Sequence, residues 1–301
     1  KNYYDQGAKL FWLDVAEPEY SVYDFKNYRY QLGSVQEVGN IYPKYYLKAF
    51  YDGMTAEGDT MPISLIRSAW AGSAKYGALV WSGDIVSTFE CFRRQVQAGL
   101  NMAIAGIPWW TTDIGGFHGA RTDDPDFHRL YIRWFEYGCF CPVMRLHGNR
   151  NPQEGYGAEQ IGSGSDNEIW SFGDKAYEIS KKYIFLRERL RDYIRTQMKK
   201  AHEDGTPMMR PVFYDFPTDQ ESWNVEDAYL FGPDLYVAPV MEDHVTEREV
   251  YLPDGTAWFN AWTGEKYEGG QNVTVAAPLD TIPVFVKEGA DAEKLLNIFS
   301  E

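Results

Sequence analysis

The chain has 301 residues, with 29 Lys and Arg against 44 Asp and Glu and a formal charge of −15. A field of that sign repels phosphate, which excludes nucleic acid and anionic membrane surfaces as partners; no apolar run approaches the ~20 residues needed to cross a bilayer. Hydrophobic residues at 44% and charged residues at 24% are the proportions of a soluble folded protein, and the length accommodates one large domain or one large and one small.

In chain order, the first strand-like run is Lys-Leu-Phe-Trp-Leu-Asp-Val at residues 9–15. The chain opens on Lys1 with no signal sequence before this run, and is expected to begin inside a fold. Further apolar runs at residues 61–66, 102–108 and 142–146 predict strands, and residues 88–100 and 127–137 predict helices between them. That alternation is the signature of parallel α/β architecture. The amphipathic stretch 174–202, closed by Gly205 and Pro207, predicts one or two helices. From about Asp227 the texture changes to short β-rich runs (228–231, 235–240, 249–252, 273–276, 282–286) broken by Gly232-Pro233, Asp254-Gly255 and Gly269-Gly270. They predict a small antiparallel β-sandwich. The boundary is expected within 217–225, giving domains 1–220 and 221–301.

Ten Trp, 22 Tyr and 17 Phe make 16% of the chain. Aromatic faces stack on the C–H faces of pyranoses and acidic side chains accept from their hydroxyls, so sugar binding is one use of this surplus; a large aromatic core in an ordinary α/β enzyme is the equal alternative. Cys91, Cys139 and Cys141 offer neither a disulfide framework nor a metal spacing, as in a reducing cytosol or a secreted bacterial enzyme without disulfides. The five His residues form no His-Glu-x-x-His arrangement, which argues against zinc.

Charged groups stand where apolar strands should end: Asp14 after Phe-Trp-Leu, Arg67 after Ser-Leu-Ile, Asp113 after Trp-Trp-Thr-Thr, and Arg145 and His147 after Pro-Val-Met. In a parallel barrel, reacting groups come from such C-terminal strand ends, and a carboxylate there is costly unless paired or functional. Two motifs stand out. In Phe11-Trp12-Leu13-Asp14-Val15-Ala16-Glu17, Asp14 closes the strand; in Trp81-Ser82-Gly83-Asp84, glycine permits a tight turn that presents the acid. Each aspartate alone also reads as a helix cap or turn residue. Together they match the two carboxylates, one ionised and one protonated, that glycoside hydrolysis needs.

With these blocks in order, followed by Gly106-Ile-Pro-Trp-Trp-Thr-Thr-Asp113-Ile-Gly-Gly-Phe117, Arg133-Trp134 through Pro142-Val-Met-Arg145-Leu-His147-Gly148, Phe231 to Pro239 and Ala277 to Pro283, the chain resembles the retaining α-glycosidases of glycoside hydrolase family 31. The resemblance implies a (β/α)8 TIM barrel of which only the C-terminal strands, about the fourth onward, are present, followed by the β-sandwich. It implies Asp14 as nucleophile and Asp84 as general acid/base. Trp12, Arg67, Trp81, Phe117 and His147 would line the pocket of the sugar being cleaved, with Arg67 and His147 donating to hydroxyls and Trp81 offering a face. Asp113 and Arg145 are read as a buried charged pair that orients the site, direct sugar contact remaining open, and Glu17 as a hydrogen-bond partner rather than a catalyst. No cofactor or metal is implied, because two carboxylates suffice.

Family nucleophiles end the fourth strand, so the barrel's first three strands and an N-terminal β-domain are expected on a preceding part of the same polypeptide, and the 301 residues alone are expected to be insoluble or unstable. The end of the chain, Phe285-Val-Lys-Glu-Gly-Ala-Asp, also departs from the family's usual continuation. The Trp-Ser-Gly-Asp and Trp-Trp-Thr-Thr-Asp forms favour the bacterial α-xylosidase branch, exo-acting on oligosaccharides, over α-glucosidase; α-galactosidase and α-N-acetylgalactosaminidase stand further off. A non-catalytic carbohydrate-binding fragment is the alternative from another class. A bacterial cytosol is favoured over secretion, and a homo-oligomer is allowed.

Overall fold

The computed structural model describes residues 2–17, 20–151, 164–289 and 291–300. Four short parallel strands, Phe11–Leu13, Ser64–Ile66, Ala78–Trp81 and Trp110–Thr111, lie side by side in chain order. Their register pairs Leu13 with Ile66, Ile66 with Val80, and Val80 with Trp110, so the strands end nearly level. Beyond the last strand, Val143 N–H donates to the Trp110 carbonyl at 3.2 Å and Ile114 N–H to the Arg145 carbonyl at 3.4 Å. This is the parallel-ladder pattern. It sets Val143 beside Thr111 and Arg145 beside Asp113, placing the expected run 142–146 as the next member of the arc although it carries no regular strand.

Helices Tyr42–Ala56, Phe89–Ile104 and Pro125–Cys139 run between and after the strands. Their start signals are local: Thr88 Oγ1 accepts from Cys91 N–H at 3.1 Å, and Asp124 Oδ1 accepts from Asp126 N–H at 2.9 Å ahead of Pro125 at the first helical position. The expected strand 102–108 is a correction. Helix Phe89–Ile104 runs into it and stops at Gly106, whose φ of +79° turns the chain toward the strand Trp110–Thr111. Strand Ala78–Trp81 follows Gly77, where a Cβ would lie 2.1 Å from the Pro62 carbonyl oxygen. The stretch 174–202 forms two helices, Gly173–Arg189 and Arg191–Glu203.

The C-terminal region is a six-stranded antiparallel sheet faced by a two-stranded ribbon, Glu247–Leu252 with Gln271–Ala276. Its central strands alternate strictly. Tyr229, Phe231, Leu235, Val237, Val284 and Val286 join the core shared with the barrel helices, whereas Leu230, Tyr236 and Phe285 pack with Val250, Leu252, Trp258 and Val275 beneath the ribbon. A sheet buried on both faces reads as nearly continuous apolar runs, as these strands do. The edge strand Met209–Arg210 already belongs to this sheet, ahead of the boundary expected at 217–225. Arg133, 3% exposed on a barrel helix, donates to the carbonyls of Val245, Ala277, Pro278 and Thr281 and ties the two regions together. Among the described residues, no helix is long and apolar enough to cross a membrane.

Candidate active site

Level strand ends place consecutive side chains at one spot. Because Leu13 pairs with Ile66, the next residues, Asp14 and Arg67, emerge side by side, and Arg67 N–H extends the ladder to the Leu13 carbonyl at 3.3 Å. Arg67 then gathers three carboxylates. Its Nη1 lies 3.5 Å from Asp14 Oδ1 and 3.8 Å from Asp84 Oδ2, and its Nε lies 3.3 Å from Glu17 Oε1. Burial works against this guanidinium, but Glu17, Asp84 and Asp14 together hold its pKa above the ordinary value. One nitrogen at 3.5 and 3.8 Å from the two aspartates limits the gap between those oxygens to the sum of the two distances. That ceiling lies above the ~5–5.5 Å of a retaining carboxylate pair and below most of the ~6.5–9.5 Å of an inverting one.

Asp14 and Asp84 remain 41% and 40% exposed, open to a ligand. The backbone at Asp14 is constrained. Val15 N–H donates to Asp14 Oδ1 at 2.9 Å, and Val15 itself sits at φ +52°, a left-handed conformation that is unusual for a β-branched residue. Such strain costs on the order of 1–3 kcal/mol and persists where surrounding structure enforces it. Gly83, at φ +77°, provides the turn that delivers Asp84.

Aromatic groups form one wall. Trp12, 54% exposed, meets the edge of Trp81 at 6.0 Å and of His147 at 5.6 Å, while His147 stacks on Phe117 at 5.4 Å and 25°. Trp81, expected to offer its face, is 2% exposed instead, with the Arg145 guanidinium over its ring at 5.6 Å; the exposed ring is that of Trp12. Burial, with Arg145 nearby, lowers the His147 pKa, which favours the neutral imidazole.

Asp113 is fully buried and ion-paired with Arg145, as the ladder register requires. Burial pushes its carboxyl up to about 7 against the pull of Arg145, and Asp84 adds to the rise. A folded-state pKa above the unfolded value means that the native state holds this proton more tightly. The contribution of Asp113 to the unfolding free energy should therefore fall as pH rises from about 4 towards 7. Urea melts of wild type and Asp113→Asn across that range check this: the variant, which cannot ionise, is expected to lose that part of the slope.

Arg150 is the residue that sequence reasoning missed. Only 1% exposed, it donates to Ser87 Oγ at 3.1 Å, Asn167 Oδ1 at 2.7 Å, and the Ile114 and Gly116 carbonyls at 3.4 and 2.8 Å. It thereby braces the loop after Asp84 against the loop that carries Phe117. Its segment has no periodicity to signal burial; the one clue was its place three residues after His147. Glu17 acts as a partner of Arg67. Among the described residues, no group of three His, Cys, Asp or Glu side chains could hold a metal ion.

Against known families, the model "Glycosyl hydrolases family 31 TIM-barrel domain" matches residues 1–197 and "Glycosyl hydrolase family 31 C-terminal domain" matches 205–290. A crystal structure of a GH31 α-xylosidase from a soil metagenome, complexed with xylose, superposes with a TM-score of 0.92 at 57% identity, covering 98% of this chain and 44% of that one. An α-xylosidase of Saccharolobus solfataricus is 37% identical over 96% of this chain and 38% of its own length. Alpha-glucosidase 2 of Bacillus thermoamyloliquefaciens is 33% identical over 96% and 35%. The chain thus spans less than half of each of these relatives. The arc of parallel strands is part of a TIM barrel, the sheet behind it is the family's C-terminal domain, and the chain belongs to glycosyl hydrolase family 31.

Proposed function

We propose that a polypeptide containing this chain hydrolyses α-linked glycosides by double displacement and prefers a terminal xylose. The observation that carries the reading is the convergence of Asp14 and Asp84 on one Arg67 nitrogen at 3.5 and 3.8 Å. Asp14 attacks the anomeric carbon and forms a β-linked glycosyl ester, while Asp84 protonates the departing glycosidic oxygen as its C–O bond breaks. Asp84 then removes a proton from water as that water displaces the ester, so two inversions return the α configuration. Arg67 holds the two side chains in register, and the wall of Trp12, Phe117 and His147 takes the sugar ring. Activity of the 301 residues by themselves requires the pocket to close without further chain.

Xylose is favoured by the α-xylosidase names among the relatives, at 57% identity for the soil-metagenome structure. Xylose lacks the C6 hydroxymethyl group of glucose, and discrimination of one such group is worth ~1–3 kcal/mol. Hydrolysis of p-nitrophenyl α-xyloside and α-glucoside, by this chain and by a longer polypeptide containing it, tests both levels. The expected kcat/KM favours the xyloside by roughly tenfold or more. A preference for the glucoside would make the protein an α-glucosidase of the same family; binding of both sugars without turnover by either polypeptide would contradict the catalytic reading.

A further inference from the structure

Helix Phe89–Ile104 leaves the carboxylate end of the barrel just after Asp84 and runs back for 16 residues, about 24 Å. Its last turns therefore lie at the opposite end of the parallel strands. There, Leu100, Ile104 and Pro211 line a trough of about 370 Å³ together with Trp223. Trp223 lies flat on Phe213, with centroids 4.5 Å apart and planes within 6°, and its indole N–H donates to the Pro217 carbonyl at 3.1 Å. The ring is fixed and covered on one face, yet 55% exposed, so its other face looks outward.

The polar margin is equally arranged. Gln97 Nε2 donates to Glu226 Oε2 at 3.2 Å, which orients both side chains and leaves the amide oxygen and the second carboxylate oxygen as acceptors. The Asn101 side chain has no hydrogen bond among the described residues. Gln97 and Glu226 also line an adjoining trough of about 500 Å³, and both volumes fall in the ~300–1,000 Å³ range of small-ligand sites. An apolar peptide laid here would strip these amide and carboxylate groups of water and supply no donors, at a cost. The carboxylate, in a chain of net charge −15, repels an anion. A neutral ring with an apolar face and a rim of hydroxyl donors satisfies every group.

We propose that this trough is a second saccharide-binding site, in which Trp223 stacks on a pyranose and Gln97, Asn101 and Glu226 receive its hydroxyls. The proposal rests on the reading of the protein as one that handles oligosaccharides, and it makes this end of the barrel an anchor for a longer substrate.

Calorimetric titration with xylotriose and with maltotriose tests it, in an Asp14→Ala background that prevents turnover, on this chain and on a longer polypeptide containing it. One of the two sugars should fill a site whose affinity falls about tenfold or more with Trp223→Ala. Asn101→Ala, which leaves the stacked pair intact, should weaken the same site. The kcat/KM for a p-nitrophenyl glycoside, measured with Asp14 restored, should be unchanged by either substitution. Sugar binding that ignores both substitutions overturns the proposal while leaving the catalytic reading standing, as does the absence of sugar binding from a polypeptide that hydrolyses glycosides. A dimer in sedimentation velocity that Trp223→Ala dissociates also overturns it, because the trough would then be an interface between copies of the chain. Trp223-dependent binding in a polypeptide that hydrolyses no glycoside supports the site and sinks the catalytic reading.

Discussion

Asp14→Ala is expected to lower kcat on α-glycosides by about 10⁴-fold or more, because it removes the atom that forms the glycosyl ester. Asp84→Ala should behave differently. On a glycoside with a sugar leaving group, loss of proton transfer costs ~10²–10⁴-fold. On a p-nitrophenyl glycoside the first step needs little proton assistance, since nitrophenolate departs unprotonated. Glycosyl ester then accumulates for want of a base to activate water, and kcat and KM should fall together. Steady-state kinetics of both variants with the two leaving groups check the assignment. Equal losses for Asp84→Ala on both substrates would remove it from the acid/base role, and retained turnover in Asp14→Ala would remove Asp14 from the nucleophile's. Both side chains are about two-fifths exposed, so neither substitution is expected to unfold the chain.

Arg133→Met is the substitution with the largest expected effect on stability. Arg133 donates to Glu136 Oε2 at 3.2 Å and to four carbonyls of the C-terminal region at 2.7–3.3 Å, all from a buried position. Glu136 is wholly buried, and burial already pushes its carboxyl up to about 8 despite Arg133. Removing the guanidinium leaves that buried carboxyl without its donor and four carbonyls without theirs. Each buried polar group left unsatisfied costs ~1–3 kcal/mol, so these groups together should cost at least ~3 kcal/mol. A urea melt should show a fall of that size in unfolding free energy, and Arg133→Met with Glu136→Leu should recover part of it, since the unsatisfied buried carboxyl is gone. A loss below about 1 kcal/mol would mean that the junction is held by its apolar face alone.

The strand-end logic was legible because charge at the end of an apolar run is a local pattern: Asp14, Arg67, Asp113 and Arg145 all stand in pairs that the ladder register enforces. The β-rich runs were legible for the same reason, although Ala257–Asn260 and Lys266–Glu268 were missed, one a three-residue apolar run closed by Asn260 and the other an edge strand with no apolar run. What sequence could not supply was burial by distant neighbours. Trp81 reads like any aromatic near a candidate acid, and its burial, with Trp12 at its edge and Arg145 over its ring, depends on tertiary placement. Arg150 carries no periodic signal, since its partners Ser87, Ile114, Gly116 and Asn167 come from separate loops. The error at residues 102–108 has a comparable cause: an apolar helix end and a buried strand look alike until Gly106 is known to turn the chain.

The central claim is that Asp14 bonds covalently to the sugar. A 5-fluoro-α-xylosyl fluoride, which reacts readily through its fluoride leaving group and then hydrolyses slowly, should add one fluoroxylosyl mass to a polypeptide that contains this chain. Peptide mapping should place that mass on Asp14, with none in Asp14→Ala. An adduct on Asp84 or Glu17, or rapid turnover of the fluoride to a β-sugar with no adduct, would contradict the account.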